Sequence, residues 1–197
     1  MEKQQDMERR NRIAKRSIAL LAAVIAIAFS SPAAAASGAK FSSTGELKIP
    51  KDYRQWVFVG APVTPNELNN GKAAFPEFHH VYIDPASYDA YRKSGKFPDG
   101  TVLVKELVSV GAKSSSSGNG YFPGEFSGIA AAVKDAKRFV KEPGSWAYFS
   151  FVGADGKPLA SAKAQATADC NVCHQQNTED WVFTSHYPVL RAAKANK

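Results

Sequence analysis

The sequence predicts an α+β fold: a predominantly antiparallel β-sheet with a few helices, one of which lies near the C-terminus and carries both cysteines. Three observations support this class. Segments rich in β-branched and aromatic residues recur along the chain, which is typical of strands. Turn signals built from Gly, Pro, Asn and Asp separate these segments. Segments with helix signals follow the second strand and occupy the C-terminal part of the chain.

Four of the predicted strands are short or ambiguous. The segments QWVFVG, HHVYID and WAYFSFV have the composition of strands and occupy residues 55–60, 79–84 and 146–152. Residues 129–134, IAAAVK, fit either an alanine-rich helix or a strand. We prefer the strand because one of its faces would consist of Gly128, Ala130 and Ala132, and residues this small leave room for a flat cofactor.

Residues 101–110, TVLVKELVSV, form the strongest strand candidate. Both alternating faces are largely apolar, so we expect this strand in the middle of the sheet. Each face nevertheless carries one charge, Lys105 on one and Glu106 on the other. We expect Glu106 to pair with a basic residue in a structural role. Lys105 either extends its amine to water along an edge strand or is buried, which would favour a neutral, reactive amine.

Three helices are predicted. Asp84 and Pro85 supply an N-cap followed by proline at the first helical position, and Gly95 suits the C-terminal cap. Residues 160–176 are expected to be helical, and Pro188 is expected to open a terminal helix. The polar, turn-rich segments between these elements are predicted to be loops, at residues 38–51, 61–76 and 111–120.

The two cysteines of the chain lie together in Cys170-Asn171-Val172-Cys173-His174. This spacing attaches a c-type haem: the thiols add to the haem vinyl groups and the adjacent imidazole binds the iron. The alternatives are a chance match, a dithiol or disulfide pair, part of a zinc site, and unmodified surface cysteines. A zinc site needs four ligands and the chain has no second cysteine pair, while a thioredoxin-like pair needs a βαβ setting that is absent here. We therefore predict haem c and its iron as the cofactor.

The first 36 residues have the order of a secretory signal. Basic residues 1–16 precede the apolar run SIALLAAVIAIAFS, which is too short to span a bilayer comfortably, and small residues then offer cleavage after Ala36. We expect residues 1–36 to be a cleaved signal peptide, with an uncleaved anchor as the alternative, and residues 37–197 to form a single periplasmic haem domain. The leader holds part of the formal net charge of +7, and no Lys/Arg run indicates nucleic-acid binding.

Methionine is confined to the predicted leader, at Met1 and Met7. A His/Met-ligated electron-transfer haem is therefore excluded, because no thioether remains for the sixth position. The other candidate imidazoles are His79, His80 and His186. If none of them binds the iron, the haem has one open face, which implies small-molecule binding or catalysis. Because His79 and His80 alternate along their strand, at most one should face the core.

Nearly the whole predicted domain resembles the cytochrome P460 family, and the similar segments occur in the family's order. They are YRQWVFVGAPVTPNELNNGKAAFPEFHHVYIDPASY (53–88), DGTVLVKELVSVG (99–111), GNGYFPGEFSGIAAAVKD (118–135), EPGSWAYF (142–149) and DCNVCHQQNTEDWVFTSHYPVLRAAK (169–194).

The resemblance implies a mainly antiparallel sheet, a homodimer, and haem c held by Cys170 and Cys173 with His174 as the axial ligand. It also implies a covalent bond from Lys105 to the haem edge, which favours the buried interpretation of that lysine. Members of the family oxidise hydroxylamine to nitrous oxide at the open iron face. The electrons would then pass to a periplasmic redox partner, such as another cytochrome c.

Ala130 departs from the family pattern. Members competent for this oxidation carry a glutamate at the position that aligns with Ala130, and alanine cannot accept the protons that oxidation of each N–H bond releases. We expect hydroxylamine binding but slow turnover. His79 or His80 is the candidate substitute base, whereas Glu125 differs from Ala130 in facing and reach. The alternative function is nitric-oxide binding or scavenging without turnover, as in the beta-type cytochromes c-prime, which share this architecture but lack the cross-link.

Overall fold

The computed structural model of the chain describes residues 38–176 and 178–195. The predicted signal peptide, residues 1–36, lies outside these residues. The strands of the described part are β1 (Leu47–Lys48), β2 (Val57–Gly60), β3 (Phe78–Ile83), β4 (Val102–Val110), β5 (Ser114–Ser115), β6 (Gly118–Asn119), β7 (Pro123–Lys134), β8 (Trp146–Ser150) and β9 (Ser161–Ala162). The α-helices are α1 (Pro85–Ser94), α2 (Thr167–His174) and α3 (Pro188–Ala195). The predicted α+β class is confirmed.

The main sheet is fully antiparallel and has the strand order β2-β3-β4-β7-β8. β4 is the middle strand, as its two apolar faces predicted. β7 confirms the strand interpretation of residues 129–134, but it begins earlier, at Pro123, because it pairs with β4 as far as Val110. The small hairpin β5-β6 connects these two long strands.

Helix α1 has the predicted boundaries for the predicted reasons. The Asp84 carboxylate accepts from the backbone N–H of Ser87 at 2.9 Å and also from that of Val102 at 3.0 Å, so one side chain caps the helix and ties it to β4. Gly95 ends the helix in the left-handed region at φ 71°, where a residue without Cβ is unstrained. Among the described residues, no helix has the length and apolarity needed to cross a bilayer.

The prediction of one helix over residues 160–176 is wrong in its first part. Ser161 and Ala162 form β9, which pairs with β1, and the helix begins only at Thr167. Ala162 is buried with Leu47, and Ala164 makes an isolated bridge to Phe149. Burial against the edge of the sheet therefore overrides the local preference of alanine for helix.

The two sides of the main sheet are covered differently. The side that carries Lys105, called here the Lys105 face, packs at one end on α1, α3 and the turn before α3. The opposite side, the Glu106 face, packs on the N-terminal arm and β9. The core residues of the Lys105 face include Val81, Ile83, Leu103, Tyr148 and Leu190, and those of the Glu106 face include Leu47, Val102, Val104, Ala131 and Phe149.

Candidate haem site

Three rows of side chains cross the Lys105 face, because residues paired across antiparallel strands point to the same side of a sheet. Neighbouring rows are roughly 6.6 Å apart along the strands. The first row is Ile83, Leu103, Ala132 and Tyr148; the second is Val81, Lys105, Ala130 and Ser150; and the third is His79, Leu107 and Gly128.

The middle of this face is incompletely covered. Lys105, Leu107, Ala130 and Ala132 are only half-buried although they belong to interior strands. Ala130 and Ala132 are the small residues that, from the sequence, were expected to leave room for a flat cofactor. The structure thus leaves the centre of the Lys105 face partly accessible beside the lysine.

Helix α2 carries the predicted attachment motif, and its Cys170 packs on the core of the Lys105 face. Cys170 is half-buried, Cys173 is exposed, and both are free thiols. The helix is tied to the turn before β8, because the Glu142 carboxylate accepts from Thr167 Oγ1 at 2.6 Å and from Asn171 Nδ2 at 3.4 Å. Two thiols three residues apart are thereby presented on one anchored turn of helix.

His174, the last residue of α2, is held in one orientation. Its Nδ1 lies 2.9 Å from the carbonyl oxygen of Trp181, and its ring centroid lies 4.2 Å from that of Tyr148 and 4.7 Å from that of Phe183. A carbonyl oxygen can only accept, so Nδ1 carries the proton and Nε2 keeps its lone pair. Burial lowers the pKa of His174, which favours this neutral form. A buried neutral imidazole with Nε2 available is what an iron ligand requires.

The Trp181 carbonyl is positioned by contacts that sequence analysis missed. Asp180 and Trp181 both have positive φ, 50° and 58°. The Asp180 carboxylate accepts from Lys134 Nζ at 2.6 Å and from Trp146 Nε1 at 3.3 Å. The indole of Trp181 lies against Gly144, where an added Cβ would come within 2.3 Å of the ring. No sequence motif marks such an arrangement, because a backbone carbonyl carries no side-chain signature.

Lys105 lies in the second row, directly between Val81 and Ala130. The edge-strand interpretation is wrong, since β4 is the middle strand. The Lys105 Nζ atom lies 4.4 Å from the centroid of the Phe75 ring. Burial lowers the pKa of this amine, an effect opposed by the nearby Cys170 and Glu77. The structure therefore brings the predicted lysine to the same face as the cysteine-bearing helix and favours its neutral form.

His79 and His80 lie on opposite faces of β3, as their alternation predicted. His79 is in the third row, with its ring 5.9 Å from Phe75, and burial lowers its pKa to about 4. Its Nε2 atom is buried and has no hydrogen-bond partner among the described residues. His80 points to the Glu106 face, 3.9 Å from Glu106. The structure thus places His79 on the Lys105 face and His80 on the Glu106 face, so His79 is the one of the two that lies with the site.

The remaining candidates lie at the periphery or serve the fold. His186 is exposed and stacks on Phe183, with ring centroids 5.3 Å apart. Glu125 is exposed at the start of β7. Glu106 accepts from Tyr53 and Arg54, which is the structural pairing expected for it. Glu77, which sequence analysis did not consider, has a buried oxygen without a partner in the described part of the chain.

These residues fit a covalently attached haem better than the alternatives for the motif. Two free thiols, an imidazole whose Nε2 keeps its lone pair, and the small residues Ala130 and Ala132 lie on one side of the sheet. Within residues 38–176 and 178–195, no group of three or more His, Cys, Asp or Glu side chains is arranged to hold a metal ion by itself. The two thiols and the imidazole are the donor set that attaches a c-type haem and binds its iron.

Comparison with known proteins gives the same assignment. The family model described as Cytochrome P460 matches residues 50–184, which include all three rows, the lysine and the attachment motif. No curated protein matches the chain. Because the family match extends over more than half of its length, this chain belongs to the cytochrome P460 family and is a haem c cytochrome of that family.

Proposed function

We propose that this protein is a periplasmic mono-haem cytochrome that binds hydroxylamine and oxidises it toward nitrous oxide. The observation that carries the proposal is the order of groups along the Lys105 face. The His174 ring packs on Tyr148 of the first row, Lys105 lies in the second, and the third row offers only His79 as a polar side chain. This order supports an iron ligand, His174, on the first-row side of Lys105. On the third-row side it supports an open site for a small-molecule ligand.

The haem would be held by residues already identified. Cys170 and Cys173 would form the two thioether bonds, and His174 Nε2 would bind the iron. When bound, the haem iron supplies a coordination site for a small nitrogen compound and accepts its electrons. Burial lowers the pKa of the Lys105 amine and so favours its neutral, nucleophilic form. The bond from this amine to the haem edge, which the family implies, would replace an N–H and a C–H bond, and it would release two protons and pass two electrons to an oxidant of the peroxide class.

The chain's own residues favour a small, uncharged ligand. Phe75 and Leu107 make the third-row side largely apolar, and His79 is neutral at physiological pH because its pKa is lowered to about 4. Hydroxylamine and nitric oxide are both small and neutral. In the oxidation, two hydroxylamine molecules give one nitrous oxide and one water and release four protons and four electrons. The protons need an acceptor in the pocket, and the electrons need an external redox partner, such as another cytochrome c.

A second candidate function, nitric-oxide binding or scavenging without turnover, is supported by Ala130. This residue pairs directly with Lys105 in the second row and offers no group that can accept a proton. Nitric oxide has no proton to lose, so its binding needs no acceptor. The lack of a proton-accepting side chain at position 130 also supports slow turnover if hydroxylamine is the substrate. Homodimerisation belongs to this proposal as an expectation from the family.

A steady-state assay of the purified mature holoprotein with hydroxylamine and an artificial oxidant tests the proposal. We expect oxidant consumption with nitrous oxide as product, and a faster rate in A130E, because the added carboxylate accepts protons. A wild-type protein that binds hydroxylamine without consuming oxidant would contradict the enzymatic function and favour the nitric-oxide alternative. An unchanged rate in A130E would contradict the role assigned to position 130.

A further inference from the structure

Glu77 is a half-buried residue, and one of its carboxylate oxygens has no structural task in the described part of the chain. It lies directly before β3, and its Oε2 atom is buried without a hydrogen-bond partner among the described residues. A buried acceptor without a partner costs stability, so natural proteins rarely keep one without a use. Glu106, by comparison, is buried with Tyr53 and Arg54 as donors.

The surroundings of Glu77 belong to the candidate site. Glu77 stands two residues before His79, in the bend that leads into β3. Its charge raises the pKa of Lys105, against the larger effect of burial, so the carboxylate lies near that amine. The Phe75 ring covers the same amine at 4.4 Å, and His79 Nε2 is buried and unpartnered in the described residues too. Glu77 thus has a buried, unpartnered acceptor oxygen beside the start of the strand that carries His79.

We propose that Glu77 is the proton acceptor for hydroxylamine oxidation in this chain, in place of the side chain that Ala130 lacks. The inference rests on the proposed function. In the step, an N–H bond of hydroxylamine breaks and its proton passes to a Glu77 oxygen, and for each proton released one electron passes to a one-electron-accepting redox protein or dye. Neutral His79 lies on the Lys105 face and is a second acceptor, to which the proton can move before it reaches solvent.

The test compares three variants of the mature holoprotein. E77Q keeps the shape of the side chain and removes its charge, E77D keeps the charge, and E125Q removes an exposed carboxylate as the matched control. We expect E77Q to slow hydroxylamine oxidation about a hundredfold. It should raise the Kd for hydroxylamine about tenfold, because a hydrogen bond to a charged group is lost. The Kd for nitric oxide should stay within about twofold, because nitric oxide donates no proton. E77D should keep part of the activity, and E125Q should match the wild type.

The outcomes separate this inference from the function on which it rests. If E77Q matches the wild type in rate and in hydroxylamine affinity, Glu77 is not the acceptor although the proposed function stands. If E77Q weakens hydroxylamine and nitric-oxide binding equally, its role is structural and the inference is wrong. A wild type that binds hydroxylamine without turnover overturns the inference and the enzymatic function together. If the wild type binds neither hydroxylamine nor nitric oxide, the alternative function of nitric-oxide binding is wrong as well.

Discussion

The two faces of β4 each carry one ionisable residue, Glu106 on one and Lys105 on the other, and these two residues have different neighbours. Glu106 is 5% exposed and accepts hydrogen bonds from Tyr53 Oη at 2.8 Å and Arg54 Nε at 2.8 Å. Lys105, the adjacent residue, is half-buried against the Phe75 ring. The same strand therefore holds a charge whose partners are supplied by the fold and a charge whose immediate neighbour is an aromatic ring.

Half-buried residues lie beside both Glu106 and Lys105. Next to Glu106 along β4, Val104 is fully buried, and its partner Ala131 is 4% exposed. The residues that pair with Glu106 itself, His80 and Ile129, are half-buried, as are Leu107 and Ala130 beside Lys105. The two residues therefore differ in their partners: a hydrogen-bonded carboxylate is typical of a structural core, whereas a desolvated amine beside an aromatic ring indicates a functional site. The comparison assigns stability to the Glu106 face and chemistry to the Lys105 face.

The largest expected effect is the complete loss of one covalent bond in K105M. We expect mass spectrometry of haem peptides to find the bond at residue 105 in the wild type and not in the variant. The free energy of unfolding should change by less than about 1 kcal/mol, since the side chain keeps its apolar length and loses only a poorly solvated charge. If the wild-type protein lacks this bond, Lys105 does not have the assigned chemical role. If the variant no longer folds, Lys105 serves the stability of the fold, which contradicts the comparison of the two faces.

A substitution behind His174 should have the next largest effect. In G144A the new methyl group would meet the Trp181 indole at 2.3 Å, and Gly144 has φ 61°. We expect a loss of about 3 kcal/mol in the free energy of unfolding, from overpacking and an unfavourable backbone conformation. The Trp181 carbonyl should shift as well, which would alter the visible spectrum of the holoprotein. Denaturant unfolding and the optical spectrum measure these effects; wild-type values for both would show that the carbonyl is not held by this contact.

On the Glu106 face, E106Q should reduce stability and leave the haem chemistry unchanged. The amide keeps the shape but loses the charge-assisted bonds to Tyr53 and Arg54, so we expect a loss of about 1.5 kcal/mol. The loss is moderate because the Arg54 side chain is 64% exposed and stays hydrated. Urea unfolding measures the change, and the fraction of protein with the bond at Lys105 serves as the control. A changed fraction would show that the two faces are coupled.

The smallest expected effect is a pH dependence from His79. Its pKa is lowered from 6.5 to about 4 in the folded protein, so the unfolded state binds more protons between these values. Stability should therefore be fully present above pH 6.5 and should fall as the pH drops toward 4. The contribution is of order 1 kcal/mol once solvent screening is allowed for. Thermal unfolding over this range should show a shallower slope in H79Q, whereas equal slopes would mean that His79 is not buried.

The sequence predicted the parts of this molecule that depend on local pattern. Alternation identified β4 as central and put His79 and His80 on opposite faces, and the Asp84-Pro85 and Gly95 signals bounded α1. The spacing of Cys170, Cys173 and His174, together with the predicted signal peptide, indicated haem c. The errors concern tertiary context: β9 was predicted as helix because alanine favours helices locally, and its pairing with β1 has no local signal.

The missed parts of the site share a cause. The acceptor of the His174 proton is a backbone carbonyl, and any residue in place of Trp181 would supply one. Glu77 is one carboxylate among many in the sequence, and only its burial without a partner distinguishes it. His80 could be assigned to the Glu106 face only when the register of β3 against β4 was known. The sequence motif thus identifies the residues that would attach the haem, whereas the three-dimensional structure is needed to identify the residues around it.

The resting optical spectrum of the purified mature protein tests the central claim most directly, namely that His174 is the sole protein ligand and the Lys105 face leaves the opposite side open. We predict a five-coordinate, high-spin haem c whose spectrum shifts when hydroxylamine or nitric oxide is added. A colourless protein, or a six-coordinate low-spin spectrum that neither ligand changes, would contradict the account.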